Sequence, residues 1–294
     1  MNASRPSVWP LAGRPDPTLA DKKRGSLRSP ILKEHRMKIA FAGKGGVGKT
    51  TLCAWLGDYL ARQGHDVLLV DADTALSLGQ ACGLEPGDLP VPLSAREDLV
   101  RERIGGGYLR LNPDVSDLPD ELSVALPVTA AGGIRPGRKR LLTMGSITGA
   151  GDGCACAANA LLKSVLAHLV LQEENYVLVD LEAGVEHLGR GTVAGVDGLV
   201  VVSEPSRRSL ETAARVGALA AELGLTRQVL ALNRGMGEPE LPKMTGLPGN
   251  VVHLPILSSL VERQLAQASV LDLADGPLVD AACARLLAAM GKNS

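Results

Sequence analysis

Aromatic side chains are scarce in this chain of 294 residues, which has one Phe, three Tyr and two Trp. Single-strand stacking platforms and RRM-type sheets need such side chains, so the composition argues against both. No apolar run reaches the ~20 residues of a membrane helix, and we expect no membrane-spanning segment. The five cysteines are an odd number without framework spacing. This argues against a disulfide-stapled secreted domain and favours a reducing, cytoplasmic location.

The net charge of −1 is unevenly distributed along the chain. Residues 1–36 carry +5 and the remaining 258 residues carry −6, so the body of the protein is acidic and ill-suited to a nucleic-acid partner. The first 36 residues contain five prolines and no apolar periodicity, which predicts a disordered N-terminal extension. Met37 directly precedes the first predicted strand. We therefore expect translation to start at Met37 and residues 37–294 to form the folded domain.

Short apolar runs alternate with helical patterns beyond Met37. Runs such as VLLVD, YVLVD and GLVVVS are apolar on both faces, as in a parallel sheet covered on two sides. The pattern predicts an α/β fold with a doubly wound, mostly parallel sheet and helices on both faces. The predicted strands are Lys38–Ala42, Val67–Asp71, Lys139–Met144, Tyr176–Leu181, Gly198–Ser203, Gln228–Leu232 and Val251–Leu254. The predicted helices are Thr50–Arg62, Ala157–Leu171, Arg207–Leu223, Ser258–Gln267 and Leu278–Met290, and Glu85–Gly137 is predicted to be an insertion of loops and short elements.

A phosphate-binding motif, GKGGVGKTT, follows the first predicted strand and fits the pattern GxxxxGK[ST]. Its glycines let backbone N–H groups converge on phosphate oxygens at a helix N-terminus. Lys49 is placed to reach the β- and γ-phosphates, and Thr50 to ligate Mg²⁺. The sequence therefore predicts ATP or ADP with Mg²⁺. The predicted nucleotide contacts are Gly43, Lys44, Gly45, Gly46, Val47, Gly48, Lys49, Thr50 and Thr51.

Two acidic strand ends follow the motif. Asp71-Ala72-Asp73 closes the second predicted strand, and Asp180 closes YVLVD. These carboxylates are expected at the carboxyl edge of a parallel sheet, where ligands bind. The alternative for each is a helix N-cap or loop carboxylate. Asn233, which follows QVLAL, is either a ligand contact or a buried Asn satisfied by backbone.

Cys154 and Cys156 are separated by one residue in the segment GDGCACA. On an extended loop both thiolates point to the same side and suit one soft metal ion, but one chain supplies only two ligands. A twofold dimer would complete a four-thiolate site on its axis. The alternative is two small buried residues. The other cysteines, Cys53, Cys82 and Cys283, lie in helical patterns and are predicted to fill the core.

The extra lysine of the motif, Lys44, has no task in the ordinary phosphate loop. KGGVGKT resembles the deviant Walker A loop of the MinD/Fe-protein class of ATPases, in which that lysine reaches across a nucleotide-sandwich dimer. GDGCACAANALLKSVLAHLVL, VDLEAGVEHLGRGT and SEPSRRSLETA further resemble the CooC family of nickel-insertion ATPases, which mature carbon monoxide dehydrogenase. The resemblance covers essentially all of residues 37–294. After Asp73, the switch I segment is a few residues shorter than in the family.

The resemblance implies specific roles for residues of this chain. Lys44 and Lys49 would neutralise phosphate charge, Asp73 in switch I would orient the attacking water, and Asp180 in switch II would hold Mg²⁺ through water. Asn233 would contact the adenine edge. Cys154 and Cys156 of two chains would share Ni²⁺, or Zn²⁺.

The implied function is ATP hydrolysis coupled to nickel insertion into apo carbon monoxide dehydrogenase by a nucleotide- and metal-dependent homodimer. An iron–sulfur scaffold or Fe-protein-like electron donor is the alternative, because four thiolates also suit a [4Fe–4S] cluster. The switch II sequence DLEAG lacks the second cluster cysteine of those proteins. A positioning ATPase on membrane or DNA is disfavoured, since DAACARLLAAMGKNS has no Lys/Arg face and the body is acidic.

Overall fold

The computed structural model describes residues 37–104, 113–130, 133–145, 160–161, 164–165, 167–169, 176–183 and 195–291. The chain divides into two units, residues 1–35 and 36–294, and the described residues all belong to the second. The predicted disordered extension and the Cys154/Cys156 pair lie outside the described residues.

The strands of the described residues form one sheet in the order β3-β4-β2-β5-β1-β6-β7-β8. Its strands are β1 Lys38–Gly43, β2 Val67–Ala72, β3 Val124–Ala125, β4 Lys139–Thr143, β5 Tyr176–Leu181, β6 Gly198–Ser203, β7 Gln228–Gly235 and β8 Val251–Pro255. All neighbours pair in parallel except β3 and β4. The predicted mostly parallel, doubly wound sheet is confirmed. Only β3 was missed, because two residues are too few to show a strand period.

The helices are α1 Lys49–Arg62, α2 Leu78–Ala81, α3 Glu97–Ile104, α4 Leu118–Leu122, α5 Arg207–Glu222, α6 Ser258–Ala266 and α7 Gly276–Met290. Helical residues at 160–161, 164–165 and 167–169 fall within the predicted helix Ala157–Leu171. The short elements α3, α4 and β3 lie within the segment predicted to be an insertion of loops and short elements. Helix α7 begins two residues earlier than predicted because Pro277 fits its first turn. Among the helices described here, none is both long and apolar enough to cross a bilayer.

The apolar core lies in two layers, one on each face of the sheet. Ile39 and Phe41 of β1 belong to the layer formed with α1 and α7. Ala40 and Ala42 point the other way and pack in the layer that includes α5. This alternation confirms helices on both faces. The polar side chains Asp71 and Asp180 lie near the carboxyl ends of β2 and β5, the edge of a parallel sheet at which ligands bind.

A buried ion pair fixes α1 to β4. Lys139 Nζ lies 2.6 Å from Asp58 Oδ1, and the two side chains are 0% and 4% exposed. Arg62 Nε donates to Asp58 Oδ2 at 3.0 Å, and the Thr129 N–H donates to Asp58 Oδ1 at 3.2 Å. Burial alone would raise the pKa of Asp58, but the charge and hydrogen bond of Lys139, with the bonds from Thr129, hold that pKa below its usual range.

We expect Lys139→Met to lower the free energy of unfolding by about 3 kcal/mol at pH 7, since it leaves a buried carboxylate without its ammonium partner. The lowered pKa of Asp58 means that the pair stabilises the protein above the unfolded pKa near ~4 and that this contribution is lost as pH falls through the folded pKa. The difference between wild type and variant should therefore shrink in acid. Urea unfolding across pH measures it.

The matched control is Arg138→Met, which removes the ion pair with Asp66 on the surface, where the arginine side chain is 72% exposed. That change should lower the free energy of unfolding by less than about 1 kcal/mol. Equal losses in the two variants would contradict the structural role given to Lys139.

Candidate active site

The phosphate loop connects β1 to α1 and turns on three glycines. Gly43, Gly46 and Gly48 have φ of 150°, 79° and 100°. A Cβ at Gly43 would lie 2.2 Å from the carbonyl oxygen of Val202 in the neighbouring strand β6, so only glycine fits there. The loop exposes residues 44–46 and buries Val47, which anchors it to the core. The loop thus leads directly into the N-terminus of α1, the arrangement in which backbone N–H groups bind phosphate, and the individual phosphate contacts stay a prediction.

Thr50 and Asp180, the two residues predicted at Mg²⁺, are in direct contact. Thr50 Oγ1 donates to Asp180 Oδ2 at 2.6 Å. Asp180 is fully buried, and its Oδ1 has no hydrogen-bond partner among the described residues. Burial raises the pKa of Asp180 to about 7, against the hydrogen bond from Thr50, and the charge of Asp71 raises it further. A buried carboxylate with an unpartnered oxygen beside a hydroxyl is a hard oxygen donor set, and it fits Mg²⁺.

Asp71 has a structural role that the sequence did not reveal. It pairs in register with Asp180 across β2 and β5 and is 1% exposed. Its carboxylate accepts the N–H of Leu78 at 3.0 Å and the N–H of Asp73 at 3.2 Å. Burial raises the pKa of Asp71 to about 6. Asp71 thus organises the backbone of switch I, and its place at the end of a buried strand was the available signal.

Asp73 lies in a turn at the carboxyl edge, where it is half-buried. Its Oδ1 accepts the N–H of Ala75 at 3.0 Å, which is the geometry of a loop carboxylate. Next to it, Thr74 Oγ1 donates to Glu182 Oε1 at 3.2 Å and links the two switch segments. Orientation of the attacking water by Asp73 stays a prediction.

Asn233 contacts the phosphate loop through its amide. Its Nδ2 donates to the carbonyl of Val47 at 2.8 Å, and its Oδ1 accepts the N–H of Arg234 at 3.0 Å. This is the backbone-satisfied alternative left open above, and the adenine contact stays a prediction. Arg234, which sequence reasoning missed, donates from Nη1 to the carbonyl of Gly46 at 3.1 Å. Its signal in the sequence was a charged residue two positions beyond the predicted strand Gln228–Leu232.

The predicted metal-binding cysteines cannot be placed, because Cys154 and Cys156 lie outside the described residues. Within the part of the chain that is described, no group of three or more His, Cys, Asp or Glu side chains is arranged to hold a metal ion. Cys53, Cys82 and Cys283 are free and buried, as predicted for core residues. Burial raises the pKa of each thiol, which disfavours the thiolate needed for metal binding.

Comparison with known proteins supports nucleotide binding by this chain. Residues 38–243 match the CobQ/CobB/MinD/ParA nucleotide binding domain. The carbon monoxide dehydrogenase accessory protein CooC of Rhodospirillum rubrum is 42% identical over 196 residues, which cover 64% of this chain and 71% of that protein. An uncharacterized ATP-binding protein of Methanocaldococcus jannaschii is 39% identical over 208 residues, 69% of this chain and 76% of that protein.

Solved structures show the same fold. The cell division protein MinD of Aquifex aeolicus superposes with a TM-score of 0.58 at 21% identity, covering 88% of this chain and 98% of that chain. The likeness at this identity concerns the fold alone.

We expect Asp180→Asn to abolish the strengthening of ATP binding by Mg²⁺, because it removes the charge of a buried oxygen donor. The same change should leave the nucleotide-free protein at pH 8 at least as stable as wild type, since a charge no longer has to be buried. Titration of ATP with and without Mg²⁺, together with thermal unfolding, measures both effects. Equal Mg²⁺ dependence in wild type and variant would rule out the assignment.

Proposed function

The chain belongs to the CobQ/CobB/MinD/ParA family of P-loop ATPases and is a homologue of CooC, and from this we propose that it inserts nickel into carbon monoxide dehydrogenase at the cost of ATP. The observation that carries the proposal is the 42% identity to a carbon monoxide dehydrogenase accessory protein. The Cys154/Cys156 pair of the sequence adds a thiolate donor set that suits Ni²⁺.

The residues around the phosphate loop supply what phosphoryl transfer to water requires, which is positioning and charge neutralisation. Lys49 begins α1 and is 5% exposed, so its ammonium group acts in a site shielded from solvent. Thr50 and Asp180 would hold Mg²⁺, which when bound supplies positive charge at the β- and γ-phosphate oxygens. Asp73 lies at the same edge and would orient the water.

Lys44 supports the sandwich dimer in this proposal. It is exposed on the loop, together with Gly45 and Gly46, on the carboxyl side of the sheet. A lysine there is free to approach the phosphates of a second chain that faces the same edge. The dimer would bind two nucleotides and would form only when ATP is present.

The same dimer would complete the nickel site. Two thiolates from each chain give the four soft ligands that one chain lacks. Cysteine side chains bind metal as thiolates and must therefore be reduced and deprotonated, which fits a reducing, cytoplasmic location. Four thiolates also suit Zn²⁺ or a [4Fe–4S] cluster, so an iron–sulfur scaffold or electron donor is the second candidate. The lack of a cysteine in DLEAG disfavours it.

The variants Lys44→Ala and Lys49→Ala should distinguish the roles of the two lysines. Lys49→Ala should abolish tight nucleotide binding, because it removes the charge at the β- and γ-phosphates. Lys44→Ala should still bind ATP but lose ATP-dependent dimerisation, and hydrolysis should fall by at least about 100-fold, as when a charge supplied in trans is removed. Sedimentation with ATP and steady-state hydrolysis measure these effects.

The matched control is Lys243→Ala, which removes an exposed loop lysine. It should dimerise and hydrolyse ATP like wild type. Wild-type hydrolysis by Lys44→Ala would contradict the sandwich dimer.

Substitution of Cys154 or Cys156 by Ala tests the metal site. The wild-type protein should saturate at one Ni²⁺ or Zn²⁺ per two chains, and metal should shift the monomer–dimer equilibrium. Its metal affinity should fall as pH falls, since protons compete for the thiolates. Each variant should bind nickel far more weakly, keep nucleotide binding, and fail to activate apo-enzyme in cells. Metal titration with light scattering, and cellular carbon monoxide dehydrogenase activity, are the measurements.

Cys53→Ala provides a matched control, because it removes a buried thiol of α1 and should leave metal affinity unchanged. One ion per monomer, or full maturation by the double Ala variant, would refute the shared site. Iron and acid-labile sulfide in anaerobically purified protein would favour the iron–sulfur candidate instead.

A further inference from the structure

The carboxyl end of β7 departs from regular strand geometry. The pairing between β7 and β8 shifts register between Leu232 and Gly235. Arg234, inside this irregular stretch, has φ of 58°, a left-handed conformation that is unfavourable for a residue with a Cβ. A strained residue of this kind persists only where its surroundings hold it. The contacts of the Arg234 side chain therefore indicate which interaction the strained backbone makes possible.

The irregular strand end directs two successive side chains at the phosphate loop. Asn233 Nδ2 donates to the carbonyl of Val47 at 2.8 Å, and Arg234 Nη1 donates to the carbonyl of Gly46 at 3.1 Å. In a regular strand these neighbours would point to opposite faces of the sheet. The register shift and the left-handed residue allow both to reach the same loop.

We propose that Arg234 is a positioning residue that sets the peptide planes of the phosphate loop. In a trans peptide the carbonyl of one residue and the N–H of the next point in opposite directions. Holding the Gly46 and Val47 carbonyls on the β7 side turns the N–H groups of Val47 and Gly48 away from it, toward the phosphate cradle. The positive charge of Arg234 also polarises the peptide and strengthens the N–H as a donor.

Glu204 fixes the direction of the guanidinium. Its Oε1 lies 2.6 Å from Arg234 Nη1, and its own N–H donates to Ser209 Oγ at 3.1 Å at the start of α5. The Arg234 and Glu204 side chains are 49% and 36% exposed. An ion pair with that exposure adds little to stability, so its effect is on geometry. The phosphate loop is thus tied through Arg234 to the ends of both β6 and β7.

The expected effect is on nucleotide binding rather than on chemistry. Loop N–H groups contact phosphates that ADP and ATP share, so the interaction stabilises bound substrate and transition state alike. Its loss should raise Kd and KM while leaving kcat unchanged. The inference rests on the nucleotide-binding part of the proposed function alone. ADP binding requires neither nickel nor a client enzyme. A negative result for Arg234 is therefore distinguishable from failure of the metal-insertion proposal.

The experiment compares ADP and ATP binding by Arg234→Ala, Arg234→Gly, Arg234→Lys and Glu204→Gln, using calorimetry and steady-state kinetics. Arg234→Ala should weaken both nucleotides about tenfold, as expected for loss of a charged hydrogen bond. Arg234→Gly should lose as much nucleotide affinity as Arg234→Ala, although glycine relieves the strain of the left-handed backbone. Arg234→Lys should recover part of the affinity, and Glu204→Gln should lose less than Arg234→Ala. In all four, kcat at saturating ATP should stay within about twofold of wild type.

Arg215→Ala, which removes an exposed arginine from α5, is the matched control and should bind ADP like wild type. Wild-type ADP affinity in Arg234→Gly would overturn the proposal, because that variant removes the side chain without straining the backbone. A loss of kcat with unchanged Kd would also overturn it. If Arg234→Ala does not fold, Arg234→Gly and Glu204→Gln decide the question by the same criteria.

Discussion

The hydrogen bond from Thr50 to Asp180 is the contact on which the active site depends. It joins the first turn of α1, directly after the phosphate loop, to the end of β5, where switch II begins. The carboxylate that accepts it is fully buried, and its second oxygen has no hydrogen-bond partner among the described residues. Burial without full pairing disfavours a charge, so this position gains from a cation delivered with the nucleotide. This is the basis on which we propose that Thr50 and Asp180 hold Mg²⁺ when ATP binds.

The parallel sheet explains why these groups meet. Strands β2 and β5 are neighbours in register, which places Asp71 beside Asp180, and β1 between β5 and β6 delivers the phosphate loop to the same edge. The carboxylate of Asp71 accepts two backbone N–H groups of switch I. Switch I and switch II then touch through Thr74 and Glu182. The segments after β2 and β5 are therefore in direct contact at this edge of the sheet.

The sequence predicted the sheet and the phosphate loop because their signals are local. Apolar runs mark strands such as β5 and β6, and the motif fixes Lys49 and Thr50 by spacing alone. Signals that depend on tertiary contacts were missed. The edge strand β3 exists only through pairing with β4, and the contact of Arg234 with the phosphate loop depends on a register shift in β7 and an unusual φ. For Asn233, the sequence left two environments open, and the described contact with Val47 corresponds to one of them.

The central claim of the proposed function is that one dimer binds both ATP and nickel, so the two ligands must affect each other. The direct test is the Ni²⁺ affinity of the full chain, measured by competition with a chromophoric chelator in the presence of ADP and of a non-hydrolysable ATP analogue. If one dimer binds both ligands, the nickel affinity will differ between the two nucleotide states, and nickel will change the preference for the analogue over ADP by the same factor. Identical Ni²⁺ affinity in both states, at concentrations where the wild-type protein binds both nucleotides, would contradict it.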